Sequence, residues 1–214
     1  MSFSNVIFSD FKIIGLKEGW SNFNGPVYFC LLGSQPEGKP PIKVEVVAFD
    51  EAKKQMKMFK VRNGSRVVAA TRWQTYKKNG KDCDSFRITD LTLMPFEGQD
   101  CKIPQRSTVN MVLADYRVSY IKKDENKSNL SLVEYSPPSK DNPPINVVAC
   151  AFEETMKQMD ILGVKKGSRI MVSAKWQTYM RNEEVMYSYK ITDVSLMENR
   201  TKKTTGDDIL STLI

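Results

Sequence analysis

The sequence copies itself. Pro40–Met94 aligns without a gap on Pro143–Met197 at a constant offset of 103, and 25 of the 55 columns are identical. The clearest matches are Gly64-Ser65-Arg66 with Gly167-Ser168-Arg169, Trp73-Gln74-Thr75-Tyr76 with Trp176-Gln177-Thr178-Tyr179, and Ile88-Thr89-Asp90 with Ile191-Thr192-Asp193. Chance does not produce that. Upstream, Asp10-Phe11-Lys12-Ile13 matches Asp115-Tyr116-Arg117-Val118 at an offset of 105. A repeat of this length sets the architecture before any residue is interpreted. The expected organisation is one domain over 1–95, a linker over 96–106 carrying Gly98 and Pro104, a second domain over 107–198 and a tail over 199–214.

Within each copy, apolar residues alternate with period two in short runs, which predicts strands. The runs fall at about 5–16, 26–32, 42–49, 65–76 and 85–94, and again at about 108–121, 129–135, 145–152, 168–179 and 187–197. One stretch per copy has helical spacing instead, Asp50–Phe59 and Glu153–Leu162, each opening on an acid where the helix dipole favours it. Five strands with one short helix between the third and fourth is the plan of the OB-fold, a small Greek-key barrel. The expected fold class is therefore all-β, two tandem five-stranded OB-fold barrels, each with that helix.

The fourth strand of each copy has two readable faces, because side chains alternate across a strand. Val67, Ala69, Thr71, Trp73 and Thr75, with Ile170, Val172, Ala174, Trp176 and Thr178, form the better interior set. The tryptophans thus belong to the core. Outside stand Arg66, Arg72, Gln74 and Tyr76, continued by Lys77 and Lys78; the second copy repeats this with Arg169, Lys175, Gln177, Tyr179 and Arg181. Cations that track phosphates beside rings that stack on unpaired bases are what a single nucleic-acid strand needs. The alternative is an ordinary solvated face with arginine stems lying along apolar surface. Phe49 and Phe152 end the third strand and either stack bases or plug the barrel. Arg87 and Lys190 flank the fifth strand, and Trp20 and Phe23 lie in a polar stretch, Lys17–Gly25, read as a flexible loop. The matching stretch of the second copy, Lys122–Ser128, has no aromatic residue, so the copies are not expected to bind identically.

Composition narrows the chemistry. Lys and Arg exceed Asp and Glu by 32 to 25, a net +7, and histidine is absent. An excess of positive charge points to nucleic acid or an anionic membrane surface, or serves solubility alone. Without histidine, the usual Ser/His and Cys/His nucleophile pairs and imidazole-bearing zinc sites are excluded. Cys30, Cys83, Cys101 and Cys150 form no C-x-x-C pair and read as reduced thiols. Gly33–Pro40 imitates a phosphate-binding loop, but Pro40 stands where Ser or Thr is required and a strand follows, not a helix. No catalytic residue, metal site or cofactor is expected. With no basic and apolar leader and no membrane-length apolar run, the expected location is cytoplasmic.

The stretch Val44–Phe49, the turn Arg62-Asn63-Gly64-Ser65-Arg66, its second-copy form Lys166-Gly167-Ser168 and the basic hairpin Tyr76–Lys81 resemble the bacterial and phage single-stranded DNA-binding proteins. The resemblance covers about 4–94 and 107–197. It implies a non-enzymatic protein of DNA replication, recombination or repair, with DNA contacts at Tyr76, Lys77, Lys78, Tyr179 and Arg181. It also implies partner replication or recombination proteins recruited through the tail, although Gly206–Ile214 carries only two acids and lacks the family's Pro-Phe finish. A chain with two barrels would reach the family's four as a homodimer. Alternatives are a PriB-like accessory protein binding partner proteins, an RNA-binding OB-fold protein and, least supported, an enzyme using a barrel face as its platform.

Overall fold

The computed structural model describes residues 3–21, 25–94, 107–137, 139 and 142–197. The expected linker and tail lie outside the described residues, as do Phe23 and Cys101. The first half runs β1 (Phe3–Ser21), β2 (Gly25–Ser34), β3 (Ile42–Ala48), α1 (Asp50–Met58), β4 (Arg66–Lys78) and β5 (Lys81–Leu93). The second runs β6 (Thr108–Lys123), β7 (Lys127–Glu134), β8 (Asn146–Phe152), α2 (Glu153–Ile161), β9 (Arg169–Arg181) and β10 (Glu184–Leu196). No helix among the described residues is long and apolar enough to cross a membrane.

In the first half β1 pairs with both β2 and β4, β2 with β3, β3 in parallel with β5, and β5 with β4. The ring closes into a five-strand barrel. The second half makes the same pairings with the same senses: β6 with β7 and β9, β7 with β8, β8 in parallel with β10, and β10 with β9. One strand can serve two neighbours because it bends. β1 shifts register between Phe8 and Phe11 and again between Ile13 and Gly15, and bulges of this kind turn a strand round a barrel corner. Inward residues alternate as the pattern requires, with Val44, Val46 and Ala48 of β3 buried.

Two sequence expectations change. The stretch Lys17–Gly25 is not a loop from its start: Lys17–Ser21 continues β1, with Lys17 opposite Phe29 and Trp20 opposite Pro26. The fourth and fifth strands also run further, to hairpins of only two residues, Asn79-Gly80 and Asn182-Glu183. All four turn residues have positive φ, from 49° at Asn182 to 76° at Gly80, the geometry whose twist matches the flanking strands.

The halves are joined edge to edge. β1 pairs antiparallel with β6 from Phe3 opposite Ala114 to Ser9 opposite Thr108, making one continuous ten-stranded sheet. Val6 lies opposite Met111, its own counterpart at the offset of 105. The seam therefore has a local twofold axis through this pair.

Candidate nucleic-acid interface

On β4 the inward set is as the alternation requires, with Val67, Ala69, Thr71 and Trp73 buried; on β9, Ile170, Val172, Ala174 and Thr178 are buried. Arg72, Gln74 and Tyr76 face outward, and Lys175, Gln177 and Tyr179 repeat them. Register then decides their neighbours. Arg72 lies directly opposite Arg87, Gln74 opposite Ser85 and Tyr76 opposite Cys83. In the second half Lys175 lies opposite Lys190, Gln177 opposite Ser188 and Tyr179 opposite Met186. Like charges directly opposed on one face of a sheet repel. The same placement of cation opposite cation stands in both halves, and a negatively charged strand laid across it would meet both.

The parallel pairing of β3 with β5 brings in the phenylalanines. Arg87 sits across from Val47, and its guanidinium lies over the Phe49 ring at 4.9 Å. Lys190 sits across from Cys150, with its ammonium 5.2 Å from the Phe152 ring centre. These distances are within cation–π range. Neither ring plugs the barrel: Phe152 is 37% exposed and Phe49 is half-buried. At the hairpin ends Tyr76, Lys77, Lys78, Tyr179 and Arg181 are exposed. Lys77 forms a surface ion pair with Asp82 at 3.2 Å.

Three expected site residues are placed elsewhere. Arg169 is buried, its side chain 5% exposed, and its Nε donates to Asp115 at 2.5 Å. Asp115 holds the guanidinium above the ordinary arginine pKa. Arg66 makes the matching ion pair with Asp10, Nε to carboxylate at 2.7 Å, and is half-buried. Both acids sit at the strand bulges with positive φ, 58° at Asp10 and 68° at Asp115, which turns each carboxylate towards its arginine. These arginines lock the barrel corner. Trp20 is 71% exposed, but it alternates with Lys17 and Gly19 onto the side of the β1–β2 ribbon that carries Glu18 and Tyr28. That side faces α1, where Lys53 donates to Glu18 at 2.7 Å and lies 4.9 Å from the Tyr28 ring centre. Trp20 is thus separated from the cationic row.

The register also adds residues the sequence reading passed over. Phe29 of β2 is opposite Val47 and Lys17, so it extends the row that holds Arg87 and Arg72. Because Val27–Leu32 is almost wholly apolar, its outward positions could not be read without the pairing. Burial pushes the Cys30 thiol up to about 12, and burial raises Cys150 despite Lys127 and Lys190 nearby. Among the described residues, no three Cys, Asp or Glu side chains converge as metal ligands.

A closed five-strand barrel with its helix between the third and fourth strands defines the first half as an OB-fold barrel. Solved structures similar in fold include those of the single-stranded DNA binding protein of Thermus aquaticus. The wild-type form has a TM-score of 0.57 at 8% identity, covering 95% of this chain and 97% of that one. A deletion mutant of the same protein has a TM-score of 0.57 at 11% identity, covering 94% and 97%. At these identities the likeness speaks for the fold. No family model matches the sequence, and no curated protein matches it.

Proposed function

We propose that the chain is a non-enzymatic, sequence-tolerant binder of single-stranded DNA, built as two tandem OB-fold barrels over 1–95 and 107–198. The observation that carries this is the repeated row of opposed cations, Arg72 with Arg87 and Lys175 with Lys190, each ending on a cation held over a phenylalanine. Such a row pairs with phosphates, and the rings stack on bases without choosing among them. The binding set is then Arg72, Gln74, Tyr76, Arg87 and Phe49 with Lys175, Gln177, Tyr179, Lys190 and Phe152, extended by Lys77, Lys78 and Arg181 at the hairpins. The similarity in fold to a protein whose name describes single-stranded DNA binding supports the same reading. A role in replication, recombination or repair, homodimer assembly and recruitment of partner proteins by the tail are what the family resemblance implies.

Titration of a fluorescent oligo-dT at several salt concentrations tests this. Tight binding that weakens steeply with salt is expected. No binding, or binding indifferent to salt, would overturn it. Matched RNA and DNA competitors decide between the two nucleic acids.

A further inference from the structure

We propose that Phe29 makes the first half a base-stacking platform which the second half lacks, so that one DNA strand is held unequally by the two; this rests on the DNA-binding reading above. The observation is a comparison of two rows read straight across the strands. In the first half the row is Lys17, Phe29, Val47, Arg87 and Arg72. In the second it is Lys122, Asn129, Cys150, Lys190 and Lys175. The cations recur at every matching position. The ring does not: Asn129 replaces it.

Phe29 is 46% exposed although its strand is paired on both sides. Its ring lies down on the β1–β2 ribbon, because Gly19 leaves room for it. A Cβ at Gly19 would stand 2.6 Å from a carbon of that ring, so any larger residue would push the ring away. A ring held flat, with Lys17 on one side and Arg87 beyond Val47 on the other, offers a π-face to a base between two phosphate partners. Asparagine offers hydrogen bonds and no such face. The first half should accordingly bind more tightly and resist salt better, because stacking releases no counterions.

Reciprocal exchange tests the assignment: Phe29→Asn, Phe29→Leu and Asn129→Phe in the full chain, each titrated with fluorescent oligo-dT across a salt series. Phe29→Asn should weaken binding roughly 5- to 150-fold, the range for losing one stacked base, with the slope against salt unchanged. Phe29→Leu should fail to restore it, since leucine keeps apolar cover without a π-face. Asn129→Phe should tighten binding, which keeps the question open to test even if Phe29 variants fold poorly. Wild-type affinity in Phe29→Asn, or full recovery in Phe29→Leu, would overturn the stacking role and leave DNA binding intact. Failure of the wild-type chain to bind would instead remove the underlying reading.

Discussion

An arginine beside an acid serves the fold when water is kept from both, and a ligand when it is not. Arg169 and Asp115 are 5% and 3% exposed at the side chain, whereas Lys175, six residues along the same strand, is exposed. Removing one member of a buried pair leaves the other charged without a partner. Arg169→Ala should therefore lower stability by about 3 kcal/mol in chemical denaturation, with DNA affinity per folded molecule unchanged. A loss of affinity with normal stability would return Arg169 to the interface. Its role was hidden in the sequence because Arg169 alternates in step with Lys175 and Gln177. The recurrence of Asp10 and Asp115 was visible, but only the bulge and the positive φ of each acid show what they hold.

The β9–β10 hairpin sets Lys175 directly opposite Lys190, and like charges so placed repel. Lys175→Gln removes one charge from the Lys175–Lys190 pair while leaving Lys190 over Phe152. The variant should be more stable than the parent by roughly 0.2–1 kcal/mol without DNA. It should also reduce the slope of log affinity against log salt by about one. Thermal denaturation and a salt titration check the two parts; a destabilised variant would mean that the cation is serving the sheet. Much of these elements was legible. The period-two pattern assigned the faces of β4 correctly, although the expected strands stopped short of the two-residue turn at Asn79-Gly80. The partners across β5 were not legible, because β5 shifts register near Asp90 and Ile88 and a one-residue shift moves every side chain to the other face.

At the scale of the molecule the halves exchange contacts reciprocally. Thr75 Oγ1 donates to the Pro143 carbonyl at 2.5 Å, and its counterpart Thr178 donates to the Pro40 carbonyl at 3.1 Å. Beside them the rings of both halves interleave. Trp176 has its centroid 5.8 Å from Phe86 and 6.1 Å from Phe8, and Trp73 lies 6.4 Å from Tyr189. Shared packing of this kind couples the halves, so the chain should unfold in one transition in calorimetry. Trp176→Ala should cost about 3–5 kcal/mol, and hydrogen exchange should show protection falling in β4 as well as β9. Two resolved transitions, or a loss confined to the second half, would mean that the repeats are thermodynamically separate.

The sequence by itself determined the duplication, the order of strands and helices and the inward face of the fourth strand. Those are local or repeated signals: an alternation of period two needs only neighbours in the chain, and the second copy reads them again. Tertiary structure alone decided that Arg66 and Arg169 are corner locks, that Trp20 turns to the helix side, that Phe29 joins the cationic row and that Val6 meets Met111 across the seam. Each depends on which strands pair and in what register, and bulges reset that register at points no local pattern marks.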